Sequence, residues 1–295
     1  MFDNPCQFYH ALCCCEGSQI FFTILGIVSV LIRLLKAIWA YRDFIGGLVR
    51  RAFASRDTRS LLGGVWAVLD PLSMILIYTL IFSRVMRSRL PGSTDSWNYS
   101  IYICVGVIAW EYFTEVINRS QGMFLDNSNL LKKMSFPRST LPVVLLLSAT
   151  INFSIIAGLF CLFLIVVGRF PGWPVLAMVP LLLMQQGIAV GLGLLLGTLN
   201  AFFRDVGQTM GVCLRFWFWL TPIVYPNSVL PERIRHLMFT WNPMARLVVA
   251  YQDIFIKGTV PRFALFIPQM FLAMALLGAG FYVFTRLAGE MVDEL

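Results

Sequence analysis

The sequence predicts an all-α integral membrane protein with six transmembrane helices in one domain. An amphipathic interfacial helix precedes them, and short re-entrant helices come before the last span. Three observations carry this reading. Hydrophobic residues make up 58% of the 295 and charged residues only 13%, whereas a soluble domain carries roughly 25% charged residues. Five apolar runs approach or exceed the about 20 residues a spanning helix needs. Strict apolar/polar alternation is absent, so the pattern is not that of a barrel.

The five runs are residues 61–82, 100–121, 141–167, 174–203 and 263–284. A sixth, 211–225, is shorter and contains Arg215 and Pro222. Together they assign 61–286 to the transmembrane domain, leave 287–295 as a tail, and show no internal repeat. Basic residues set the orientation. Seven Lys/Arg lie between Arg33 and Arg59, and with Lys132, Lys133, Arg138, Arg204 and Arg286 they give twelve on one side against nine on the other. The region next to the first span usually dominates, which places the twelve in the cytoplasm.

Residues 1–40 form an extension with an uninterrupted apolar run over 20–32 and no Lys or Arg before it, so it lacks the basic start of a secretory signal. Both a surface position and a span stay open. The run falls short of the roughly 17 residues a span requires, which favours the surface. In 41–60, Phe44, Ile45, Leu48, Val49, Ala52 and Phe53 recur at helical spacing among Arg42, Arg50, Arg51, Arg56 and Arg59. That is the pattern of a helix with its apolar side in the acyl chains and its arginines at the headgroups.

Seven cysteines, an odd number, give neither a disulfide framework nor metal spacing, and His10 and His236 stand apart. No metal site is expected. A phosphate-cradling loop needs a Gly-Lys pair, and none of the four lysines follows a glycine. Nucleotide hydrolysis, if used, therefore belongs to another subunit. Glu111, Glu115 and Arg119 fall at i, i+4, i+8, an order favourable for ion pairing. They are expected as a structural pair near the cytoplasmic end of their helix. Asp70-Pro71 is expected near the headgroups, where proline starts or kinks a helix. Gly187, Gly191, Gly193 and Gly197 repeat the spacing that lets helix backbones touch, within one subunit or between two.

The stretch "FWFWLTPIVYP", residues 216–226, is apolar enough for lipid yet interrupted by Pro222 and Pro226. A helix over 211–221 would be about 17 Å long, well short of a hydrocarbon core of about 30 Å. The following residues, to about 260, are too apolar for a free loop, while Pro231 and Asn242-Pro243 cut them into pieces too short to span. Two short re-entrant helices fit. Non-helical backbone at that depth is tolerated only where protein or a water-filled cavity shields it, so this region is expected to rim an exit or gate.

Five motifs in order, "LVRRAFASRDTRSLLGGVWAVLDPL", "NLLKKMSFPRSTLPVVLLLS", "FFRDVGQ", "FWFWLTPIVYPNSVLPERIRHLMFTWNPMARLV" and "YQDIFIKG", resemble the permease subunits of bacterial ABC exporters for O-antigen, capsular and teichoic-acid polysaccharides. The resemblance covers about residues 41–286. Asp70 stands where that family often has Gln or Glu, and the first 40 residues have no counterpart. It implies an inner-membrane homodimer with two ATP-binding cassette subunits on the cytoplasmic face. ATP and Mg would act through those partners, and a lipid-linked glycan would be the cargo. By the same analogy the loop with Asn127, Leu131, Lys132, Lys133, Phe136, Pro137 and Arg138 couples to the ATPase. The helix with Phe44, Leu48, Arg50, Arg51 and Phe53 frames that contact, and residues 227–257 gate the outer mouth. A glycan sliding through wants aromatic rings and few trapping polar sites. Phe216, Trp217, Phe218, Trp219, Tyr225 and Trp241 are candidates for that lining, with Pro222 at the break. Arg215 is placed to meet a carrier pyrophosphate or a helix-end carbonyl. An ABC exporter of another lipid or drug, and an ion-coupled secondary transporter, remain the alternative readings.

Overall fold

The computed structural model describes residues 46–47, 65–85, 96–127, 140–287 and 290. Residues 1–45, the interfacial segment with Phe44, Leu48, Arg50, Arg51 and Phe53, and the loop with Leu131, Lys132, Lys133, Phe136, Pro137 and Arg138 lie outside them. The chain divides into two compact units, 1–47 and 48–295, and the described helices belong to the second, save the single turn at 46–47.

Helix α1 is Trp66–Thr79, extended by a wide π-type turn at Leu80–Val85. Helix α2 is Ser96–Asp126, α3 is Thr140–Val166, and α4 is Met178–Phe202 behind a 3-10 turn at Trp173–Ala177. Helix α5 is Asp205–Trp219, α6 is Glu232–Trp241, and α7 is Pro243–Lys257. Helix α8, Ile267–Leu287, follows a 3-10 turn at Phe263–Phe266. Among the described residues four helical stretches are long and apolar enough to cross a membrane: Trp97–Asp126, Thr140–Val166, Trp173–Phe202 and Phe263–Leu287. The apolar part of α1, Val68–Phe82, is shorter.

Two expectations need correction. The helix before the break begins at Asp205, not at 211, because the acid at 205 suits the positive end of a helix and the turn after α4 takes only Phe203 and Arg204. At 15 residues it is about 22 Å long, still short of the hydrocarbon core. Glu111 is not toward one end of its helix: α2 is longer at both ends than its apolar run, and Glu111 sits at its midpoint. Pro71 lies inside α1, buried, while Asp70 is exposed.

Helix α2 is the central post. Residues 101–110 are buried on every side, and α2 packs against α1, α3, α4, α5 and α7. Helix α4 is held between α2 and α8 by its glycines. A Cβ on Gly191 would sit 2.5 Å from the Leu276 and Leu277 backbone of α8, and one on Gly193 2.5 Å from Ser120 Oγ of α2. Gly197 meets the Ser120 carbonyl, and Gly280 of α8 faces the Gly191 carbonyl. The two small-residue pairs therefore join helices within one subunit, one toward each neighbour.

Asn200 ties the α4–α5 corner. Its amide donates to the Gln121 carbonyl at 2.9 Å and its oxygen accepts from Gly207 N–H at 2.9 Å. Asn127, Thr140, Asp205 and Leu287 mark the proximal end of the bundle. Trp97, Val166, Pro171 and Gly258 mark the distal end.

Candidate functional site

Helix α5 runs antiparallel to α2. Gln121 lies near Gly207, while Trp110 meets Trp217 and Phe218 with ring centroids 6.2 and 5.9 Å apart, and Phe113 meets Trp217 at 5.3 Å. After Trp219 the helix stops, because Pro222 cannot continue it. Thr221, Pro222 and Ile223 are nonetheless buried, Ile223 fully. Ile223 lies beside Gly106, ten residues into α2, or about 15 Å along that helix. The chain thus breaks inside the bundle.

Buried backbone without a helix must find other partners, and four side chains supply them. Tyr102 Oη lies 3.0 Å from the carbonyls of both Pro222 and Tyr225, its one hydrogen shared between them. Tyr99 Oη donates to Val224 O at 2.9 Å, and Tyr225 Oη to Trp219 O at 2.7 Å. Gln252 of α7 points its amide nitrogen at the carbonyls of Pro222 (3.2 Å), Tyr102 (3.3 Å) and Ile223 (3.5 Å). A Cβ on Gly106 would fall 2.8 Å from that nitrogen. The glycine makes room for the break and its clamp.

Asn242 performs the same task from the α6–α7 joint. Its Oδ1 accepts from Trp217 Nε1 (2.8 Å), Met244 N (3.0 Å) and Ala245 N (3.3 Å). Its Nδ2 donates to Leu220 O (3.1 Å) and Thr221 Oγ1 (2.9 Å). It is at once the N-cap of α7, with Pro243 at the first helical position, and a bolt to α5. From this tip, level with Trp217, α7 runs outward past Gln252 and Phe255 to Gly258, beside Pro171 at the distal end. Helices α6 and α7 therefore form a hairpin with its tip inside the bundle.

The exposed faces differ in chemistry. Those of α3, α4 and α8 are apolar, with Leu147, Ile151, Leu162, Leu183, Phe271 and Met274 among their exposed residues. Helices α2 and α5 expose Glu111, Asn118, Gln208, Thr209 and Arg215 as well, the last among the apolar Val212, Phe216 and Trp219. Neither Glu111 nor Arg215 has an ion-pair partner among the described residues, and the antiparallel packing sets them within about one turn of equal depth. Each would cost about 3 kcal/mol if it faced lipid at the bilayer centre. Glu115 differs: it pairs with Arg119 at 3.0 Å and accepts from Asn152 at 2.9 Å, and Arg119 also donates to Ser148 at 3.1 Å. This network sews α2 to α3.

The sequence-derived aromatics divide accordingly. Phe216, Trp219 and Trp241 are exposed, at 70%, 64% and 81%. Trp217 and Phe218 pack on α2, and the ring of Tyr225 is half-buried with its hydroxyl engaged. Asn127 donates to Met123 O at 2.8 Å, closing the proximal end of α2. Sequence reasoning missed Tyr99, Tyr102, Gly106 and Gln252, and read Asn242 only as part of a chain break. Of these, only Asn242, placed before a proline and an apolar helical run, carried a local signal.

Residues 45–256 match the family described as ABC-2 type transporter. The chain is 29% identical over 266 residues to the O-antigen export system permease protein RfbA of Myxococcus xanthus, covering 90% of this chain and 100% of the relative. A protein of the same name from Klebsiella pneumoniae is 30% identical over 219 residues, 74% of this chain and 82% of its own. The polysialic acid transport protein KpsM of Escherichia coli is 21% identical over 223 residues, 73% and 82% of the two chains. Apolar spans, a helix broken inside the bundle and a match across α1 to α7 converge, and the chain belongs to the ABC-2 type transporter family.

Proposed function

We propose that this chain is the permease subunit of an ATP-driven exporter that moves a lipid-linked polysaccharide across the bacterial inner membrane. One observation carries the reading: α2 and α5 expose charged and polar groups, Glu111 and Arg215 at mid-depth, beside a broken helix whose carbonyls at 222–225 are clamped by side chains. Such faces suit a water-filled passage and not lipid. The names of the relatives supply the cargo class, O-antigen and polysialic acid.

In this reading six passes are completed by α1 and α5, and two copies of the chain set their α2 and α5 faces around one passage. Phe216, Trp219 and Trp241 offer rings to the C–H faces of sugars, and Arg215 meets the carrier's phosphates. The proximal end faces the cytoplasm, where the segments 41–60 and that with Lys132, Lys133 and Arg138 receive two ATP-binding subunits. Those partners hold ATP and Mg. The α6–α7 hairpin gates the outer mouth.

Deleting the gene tests this: complete polymer should accumulate inside the cell and vanish from its surface, and the chain should copurify with an ATP-binding subunit. A midpoint carboxylate such as Glu111 is also what an ion-coupled carrier uses. Vesicle transport that follows an ion gradient and ignores ATP would replace the exporter reading with that one.

A further inference from the structure

A cleft of about 390 Å³ lies between the 3-10 turn Asn227–Val229 and α6. Asn227, Glu232, Arg235, His236 and Phe239 line it. The volume falls within the range of small-ligand sites, roughly 300–1,000 Å³. Helix α6 presents these groups on one side only. Residues 232, 235, 236 and 239 share a face at helical spacing, while the opposite side carries Ile234, Leu237 and Trp241, exposed at 49%, 53% and 81%. The helix thus gathers its acid, base and imidazole at the rim of a cleft whose walls are mainly apolar.

The lining discriminates among ligand classes. Arg235 is paired with Glu232 at 2.6 Å, so its charge is largely cancelled and the site does not select a free anion. A lipid tail fits the mainly apolar walls but uses none of the carboxylate, guanidinium, amide and imidazole groups at the rim. A neutral polyhydroxylated ring uses both. Its hydroxyls both donate and accept, matching the Glu232 oxygens, the Asn227 amide, the Arg235 N–H groups and His236. Its C–H face fits the ring of Phe239. The cleft is also held in shape: Arg246 Nε donates to Phe239 O at 3.0 Å and its NH1 to Leu265 O at 3.1 Å, fixing the end of α6 to the turn before α8.

We infer that this cleft binds one or two sugar units of the glycan as it leaves, so that the re-entrant hairpin is a saccharide-recognition element as well as a barrier. The inference rests on the export reading. The probe is lipid-free polysaccharide released by mild acid from the surface of the same cells, titrated against the purified complex with its ATP-binding partner in lipid nanodiscs. Phe239→Ala and Glu232→Gln should each weaken binding roughly tenfold, the loss of one good contact. Phe239→Trp should restore it, and Ile234→Val on the opposite face should bind as the wild type does. Gel-filtration profile and basal ATPase rate identify any variant that has failed to fold, and Phe239→Trp then carries the comparison against Glu232→Gln. Equal affinity in all variants, or no binding by the wild type, overturns the inference. The export reading fails separately, if a strain lacking the gene still displays polymer.

Discussion

Replacing Asn242 by alanine removes the acceptor of three N–H groups and the donor to two oxygens at the tip of the hairpin. Loss of an N-cap costs about 1 kcal/mol. The Trp217 indole N–H and the Leu220 carbonyl lose their partners in a half-buried setting, at about 1 kcal/mol each. The sum is about 3 kcal/mol, and about 2 kcal/mol if the two interhelical bonds have only the average worth of such bonds in membrane proteins. Unfolding by sodium dodecyl sulfate in mixed micelles, extrapolated linearly, measures it. Asn242→Ser keeps the cap and should recover about 1 kcal/mol. A double-mutant cycle with Trp217→Phe isolates the bolt and should give a coupling of about 1 kcal/mol. A cost no larger than the cap alone, with Trp217→Phe fully additive, would refute the claim that Asn242 anchors the hairpin to α5.

Gly191→Val drives a branched side chain into the α8 backbone and should destabilise by about 3 kcal/mol or more, whereas Gly158→Ala, with open space at its Cβ, should stabilise by about 0.5 kcal/mol; thermal melts in detergent compare them. Tyr102→Phe and Gln252→Leu both strip donors from the Pro222 carbonyl, so their combined cost should exceed the sum of the single costs by about 1 kcal/mol in the same assay. Glu115→Ala leaves Arg119 and Asn152 without their shared acceptor and should cost about 1–3 kcal/mol, and adding Arg119→Ala should recover part of it. In a variant keeping only Cys213, a charged thiol reagent should modify that exposed residue in the membrane; a variant keeping only the buried Cys104 should not react. Cys213 silent to the charged reagent would place that face of α5 in lipid.

The long helices were legible because lipid demands about 20 apolar residues in a row, and each of the four spans lies within a few residues of its apolar run. Prolines at 222, 231 and 243 announced the break and both short helices, since each removes a backbone donor at a fixed place. The start of α5 was hidden, because Asp205 and Gly207 read as loop until Asn200 caps their corner. The clamp was hidden more deeply. Tyr102 and Gln252 are 150 residues apart and act on carbonyls that neither adjoins in sequence. Periodicity records which face is apolar, not which hydroxyl finds a distant carbonyl. The polar faces of α2 and α5 were half visible. Glu111 and Arg215 stood out in apolar runs, but spacing made Glu111 the partner of Glu115 and Arg119, and packing instead gave that pair to α3.

With the glycines of α4 seated against backbone of both α2 and α8, and only small groups such as Ser120 and Ala273 beside them, those three helices form a slab with little slack to absorb sliding. A displacement of even one ångström along that plane would drive peptide groups into each other. Any motion that opens a passage would therefore have to bypass the slab and fall to the parts hinged on it, first of all α6, which buries none of its residues, while α7 stays seated in the core.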